Sequence, residues 1–306
     1  MSTVVVVKLP VENQGRNPGK EEYNRLLVSG LTLLSGANAS ADAIKRFVPS
    51  GVIGIKTNCL ARKFNSTPVT LTEALAALLV DAGFEENDVV IWDRTSAELE
   101  KAGYRLNASS FGLKYLGTDT SGIGYSSQFY TSGIVNSLVT RILTEIVTWN
   151  INLPILKDHS IAGLSAGLKN MYGAINNPNK CHGNNCDPYA AHVSNLEPIK
   201  KKNRLTIIDA IRVQYNAGPG FDSRYLAYYN GLIISDDPVA ADSVGLRIVE
   251  HFRQINKLPS LESVGRPVRY LKSAENIGLG VADPQKISLN VAIVGSDGNV
   301  RKGALL

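Results

Sequence analysis

Apolar and polar positions along the chain fall into two alternating rhythms. Short β-branched runs such as "TVVVVKL" (3–9), "GVIGIKTN" (51–58) and "DVVIWD" (88–93) lack polar alternation and predict strands buried on both faces. Between them lie stretches of helical period. Residues 20–34 carry one, and "SADAIKRFV" a short second with Ser40 as its expected cap. In "TLTEALAALLVDAGF", Leu71, Leu75, Leu78 and Leu79 share a face, Thr70 and Glu73 form an expected capping box, and Gly83 stops the helix. "TSAELEKAGY" predicts a further capped helix. This strand–helix order implies right-handed parallel crossovers and a sheet covered on both sides.

The pattern weakens from Phe111 to Thr148, where Gly, Ser and Thr predict short strands or hairpins. After it, "TWNINLPIL", "RLTIIDAI" (204–211), "GLIISDD" (231–237) and "ISLNVAIVG" (287–295) predict strands. "PVAADSVGLRIVEHFRQI" is a helix with Pro238 in its first turn and Asp236 or Asp237 before it. The fold class expected is α/β: a mostly parallel or mixed sheet with helices on both faces. It forms one large domain over 1–306, with lobes of about 1–105 and 106–306 as a variant.

Composition narrows the function classes. With 44% hydrophobic and 19% charged residues, the chain has the balance of a globular protein rather than a solvated tail. Its net charge of +5 mildly favours anionic partners. The only dense basic cluster is "KKK" at 200–202, and no nucleic-acid recognition pattern accompanies it, so nucleic acid is not an expected partner. No apolar run reaches the length of a membrane span. "MSTVVVVKLP" lacks the charged start and long apolar core of a signal peptide, so the chain as given reads as cytoplasmic. Cys59, Cys181 and Cys186 are too few and too unevenly spaced for a disulfide framework or a four-thiolate iron–sulfur run; at most one pair can form.

Candidate chemistry follows from the rule that open α/β sheets bind ligands beyond the carboxyl ends of their strands. Lys56 and Asn58 end one strand, Asp93 the next, Lys157, Asp158 and His159 another, then Asp209, then Asp236 with Asp237. "SIAGLSAGLKNMYG" reads as a helix opening at Ser160, whose free N–H groups would hold an anion while Lys157 and Lys169 neutralise it. His159 is the expected proton donor or acceptor, because imidazole titrates near neutrality. The blander reading is that polar residues end strands anyway, and that Lys169 trims a helix C-terminus. "CHGNNCDPYAAH" holds zinc- or iron-type ligands in no usual structural-zinc spacing, and the adjacent Cys181 and His182 diverge. A divalent transition-metal set of His182, Cys186 and Asp237 competes with a buried apolar Cys186 and a hydrogen-bonded His182. The phosphate loop GxxxxGK[ST], GxGxxG and HExxH are all missing.

Taken together, "VIGIKTN", "NSTP" (65–68), "NLPILKDHSIAGLSAGLKNMYG", "DAIRVQYNAGPG" and "DDPVAADSVG" resemble domain-of-unknown-function family 362 in order and spacing, over roughly 51–249. "HGNNCDPY" further resembles a branch with an HGNxCxPY segment. The resemblance implies weight for Lys56, Asn58, Lys157, His159, Lys169, Asn170, His182, Cys186, Asp209, Gly218, Pro219, Asp237, Pro238 and Asp242, without roles, and a tight turn explains Gly218 and Pro219 as well. It also implies export by the twin-arginine route where a signal segment precedes the chain, and an electron-transfer partner by analogy with members fused to ferredoxin-like modules. This chain lacks a CxxCxxC run, which argues against an intrinsic iron–sulfur cluster. The reading that results is an enzyme acting on a small anion. Lys56, Asn58, Asn170 and Ser160 bind; His159, Lys157 and Lys169 do chemistry that is metal-assisted or redox-linked. The alternatives are a module that captures an anion or metal without turnover, and an accessory protein of an electron-transfer system.

Overall fold

The computed structural model describes residues 1–11 and 15–306. Its strands are β1 (Ser2–Lys8), β2 (Ile53–Lys56), β3 (Val89–Asp93), β4 (Lys114–Gly117), β5 (Tyr130–Ser132), β6 (Val135–Ser137), β7 (Trp149–Asn152), β8 (Ile155–His159), β9 (Gly163–Ser165), β10 (Asn203–Gln214), β11 (Leu226–Ser235), β12 (Ile287–Val294) and β13 (Val300–Lys302). Its helices are α1 (Lys20–Ser35), α2 (Ser40–Lys45), α3 (Val69–Asp81), α4 (Ser96–Ala102), α5 (Gly167–Asn170), α6 (Tyr189–Ser194), α7 (Glu197–Lys202), α8 (Pro238–Ile255) and α9 (Tyr270–Asn276).

Eleven of these strands form one mixed sheet in the order β13-β12-β1-β11-β10-β7-β2-β3-β4, with β8 on β10 and β9 on β8. From β10 to β4 every neighbour is parallel. The long β10 pairs with β7 along its first residues and with β8 further on, because Leu153 and Pro154 interrupt the incoming strand. β11 runs antiparallel to both β10 and β1. Direction decides chemistry here: β2, β3 and β8 deliver their carboxyl ends to one edge of the sheet, and β11 delivers its own to the opposite edge.

Burial on two faces explains the unbroken apolar runs. Val4, Val5, Val6 and Val7 are all fully buried, Val5 and Val7 against the layer of α1–α4 and Val4 and Val6 against α8. α1 lies so close to the sheet that a Cβ at Gly30 would stand 2.4 Å from Cδ1 of Ile234. α5, α6 and α9 pack the other face beside β3.

Helix ends differ from expectation in two places. α3 begins at Val69 with Pro68 as its cap residue and no side-chain cap, so Thr70 falls inside the first turn and the Thr70/Glu73 box does not form. Proline's fixed φ suits a start two residues earlier than that box implies. α2 likewise takes Ala39 at its cap and Ser40 as its first helical residue. Thr95 of α4 does accept from the Glu98 N–H, and Asp237 accepts from Val239 and Ala240 at the head of α8. The weakly patterned 111–148 stretch contains β4, the β5–β6 hairpin and one π-type turn at 142–146. Among the described residues, no helix is long and apolar enough to cross a membrane.

Candidate functional site

β8 carries the alternation that builds the site. Along "KDH", Lys157 and His159 turn to one side while Asp158 turns to the other, where it pairs with Arg266 at 2.8 Å and accepts from the Gly218 N–H. Beyond the ends of β2, β3 and β8 opens a cavity of about 530 Å³, whose lining includes Lys56, Asn58, Asp93, His159, Lys169, Asn170 and His182. Such a volume suits a small organic ligand.

Three buried lysines approach this cavity in three different electrostatic states. Lys56 is neutralised: its Nζ donates to Asp93 Oδ1 at 2.5 Å, to the Thr57 carbonyl at 2.6 Å and to Asn170 Oδ1 at 3.4 Å. Its donors are therefore committed to protein. Lys157 stands behind the wall, fully buried, and donates to Asn58 Oδ1 at 3.1 Å. Burial pulls its pKa down to about 8, against the attraction of Asp93. Lys169 lines the cavity, with Nζ 3.1 Å from His182 Nε2 and 3.5 Å above the Tyr172 ring. Its pKa too is pulled down to about 8, chiefly by burial. Among the described residues neither Lys157 nor Lys169 has a carboxylate within ion-pair distance.

Side-chain amides connect these groups. Asn58 Nδ2 donates to Asn170 Oδ1 at 3.1 Å, Asn170 Nδ2 donates to Asn152 Oδ1 at 2.8 Å, and Asn152 Nδ2 donates to the Gly167 carbonyl at 2.8 Å. The Lys157 ammonium thus polarises a chain of amides that ends on α5, which itself carries Lys169 and Asn170. Asp93 completes the arrangement, its second oxygen accepting from the Cys59 N–H at 2.6 Å.

The segment after His159 overturns a sequence expectation. No helix opens at Ser160; the chain makes a tight turn into β9, with Gly163 at φ 74°, and α5 starts only at Gly167. The amides of Ile161 and Ala162, expected to face an anion, donate instead to Nδ1 of His159 at 3.1 and 3.2 Å. Two donors on Nδ1 keep the ring neutral with its proton on Nε2, and burial followed by the Lys169 charge pushes the pKa down to about 3. His159 is therefore a fixed hydrogen-bond donor at neutral pH, not the near-neutral titrating group its residue type suggested. Ser160 still lines the cavity, from its exposed rim.

The expected metal set is also taken apart. Asp237 follows the carboxyl end of the antiparallel β11 and so lies at the other edge, where its oxygens accept from the N–H groups of Val239, Ala240 and Val281 and from the Ser2 hydroxyl. His182 has both ring nitrogens engaged, Nδ1 on the Pro178 carbonyl at 3.0 Å and Nε2 on Lys169. Cys186 is fully buried and does not line the cavity; all three cysteines are free thiols. No cluster of three His, Cys, Asp or Glu residues suited to a metal ion occurs among the described residues.

The profile of the domain of unknown function DUF362 matches residues 53–247. The chain belongs to this family. The DUF362 segment reaches from β2 into α8 and so encloses the amide chain, both histidines and the three lysines. No curated protein matches the chain. Among solved structures it is similar to a protein from Thermotoga maritima, with 13% identity and a TM-score of 0.38 over 72% of this chain and 58% of that one. It is also similar to the lactate racemase apoprotein from Thermoanaerobacterium thermosaccharolyticum, with 12% identity and a TM-score of 0.43 over 81% of this chain and 57% of that one. The matches thus span less than two thirds of either structure's own length.

Residue-type reasoning did not single out Asn152, Tyr172 or Cys59. An asparagine inside a β-strand run carries one signal, since a buried strand seldom keeps an amide without a partner to satisfy it. Tyr172 and Cys59 carry none that periodicity could reveal.

Proposed function

We infer that this chain is an enzyme that binds a small organic anion in the cavity and moves a proton to or from it through Lys169. The observation that carries this reading is the pair of buried ammonium groups, Lys169 lining the cavity and Lys157 behind its wall on Asn58, each without a carboxylate partner of its own. Buried unpaired charge is costly, and an anionic ligand is the natural compensation. Lys157 acts at second hand by polarising Asn58; the Nε2–H of His159 supplies a neutral donor. Lys169 is the proton carrier. A pKa of about 8 lies near the operating pH, where a general acid or base is most effective. His182, held by the Pro178 carbonyl, aims the lone pair of Nε2 at the amine and fixes its position.

The test is proton exchange in D2O. Small carboxylates with an acidic C–H beside a carbonyl are incubated with the protein and followed by NMR. Deuterium should enter that C–H in the wild type and fall at least 100-fold in Lys169→Met. Exchange that is undiminished in the variant would refute the assignment.

Capture without turnover is the second reading, and one observation favours it: Asp93, a carboxylate lining the cavity, is already engaged by the Lys56 ammonium and by the Cys59 and Arg94 N–H groups. A ligand that binds the wild type and is recovered unchanged, without exchange, would select this reading.

A further inference from the structure

The cavity is polar at its floor and apolar at its mouth. Leu60, Ile161 and Pro219 line the same cavity as Lys56 and Lys169. Leu60 and Ile161 are 52% and 41% exposed. Just outside, Phe64 and Phe221, 58% and 38% exposed, stack with ring centroids 5.1 Å apart and an interplanar angle of 21°. Phe64 follows Leu60 by four residues and Phe221 follows Pro219 by two, so the stacked pair joins the two loops that supply Leu60 and Pro219 to the cavity. Both loops are tied to the end of β10. Gln214 Oε1 accepts from Asn65 Nδ2 at 3.2 Å and from the Asp222 N–H at 3.1 Å, and Arg212 donates to the Phe64 carbonyl at 3.0 Å. A preformed rim of four exposed apolar side chains beside buried ammonium groups is complementary to a molecule with one charged end and one greasy end.

We propose that the ligand of this site is an amphiphilic organic acid in free solution. Its carboxylate or phosphate reaches the lysine floor, and its alkyl or aryl tail lies along Leu60 and Ile161 toward the Phe64–Phe221 pair. This rests on the anion-site reading above and adds the tail. A cavity of about 530 Å³ holds far more than a bare acetate or phosphate would fill.

A homologous series tests it, with binding followed calorimetrically for acetate, butanoate, hexanoate, octanoate and 3-phenylpropanoate, with inorganic phosphate alongside. Affinity should rise roughly four-fold per added methylene until the tail passes the rim. In a Leu60→Asn/Ile161→Asn double variant that slope should flatten; both positions are surface-exposed, and an unchanged circular dichroism spectrum verifies the fold. A flat series in the wild type, with short anions still bound, would overturn the tail while leaving the anion site standing. An undiminished slope in the double variant would also overturn it, and so would binding seen only when the acid is presented in anionic phospholipid vesicles. If neither the series nor phosphate binds at millimolar concentration, the anion site itself is refuted and the tail falls with it.

Discussion

The two edges of the sheet use charge in opposite ways. At the amino edge Asp237 and Asp242 are consumed by backbone: Asp237 by the head of α8, and Asp242 by the Gly167 and Leu168 N–H groups at 2.6 and 2.9 Å. At the carboxyl edge Lys157 and Lys169 are buried with only neutral side chains as partners. The first arrangement completes the hydrogen-bonding of the fold; the second leaves a demand that the fold does not meet. The difference teaches where to look for ligand chemistry: at buried charge the protein leaves unneutralised, rather than at charge as such.

Substitutions can break this contrast. The largest effect should come from Asp242→Ala, which orphans two buried N–H groups and should cost about 2–5 kcal/mol in urea unfolding. Burial raises the Asp242 pKa to about 7. The sign follows: its contribution is full below the unfolded-state pKa near 4 and is lost as pH rises through about 7, so the deficit of the variant should be larger at pH 5 than at pH 8. A loss under about 1 kcal/mol would show that these bonds are not structural. Next, Lys157→Met should behave in the reverse sense, raising stability by about 1–3 kcal/mol at pH 7 while weakening anion binding at least ten-fold. In the wild type the ammonium forms persist below about 8 and disappear above it, so calorimetric anion affinity should fall as pH rises through that value. Destabilisation by Lys157→Met would erase the contrast. The smallest effect belongs to Asp237→Ala, about 1 kcal/mol of stability from a lost helix cap and no change in anion affinity.

Much of this arrangement was legible in the sequence. Strand ends placed Lys56, Asn58 and His159 at one edge because β2 and β8 are parallel, and the glycine-rich segment carried Lys169 and Asn170 to the same place. Asp237 was misplaced for a reason that periodicity cannot overcome: an apolar run announces a strand but not its direction, and β11 runs backwards. The turn after His159 was misread as a helix because small residues suit either, and the deciding contact, a ring nitrogen accepting two amides, is invisible until the chain folds. The π-type turn at 142–146, α9 and β13 had no periodic signature long enough to register.

α5 links the two edges. This single turn of helix has its head clamped by a carboxylate from α8 and presents, within the next residues, the amine and the amide that face the cavity. At Gly167 a methyl group would stand 2.8 Å from Asp242 Oδ1 and 3.1 Å from Thr206 Cγ2, so the clamp tolerates nothing larger than hydrogen there. The Lys169 amine is accordingly aimed from behind: its bearing is set by a tether rooted on the far side of the molecule, and slackening that tether would turn it without altering any residue that lines the cavity.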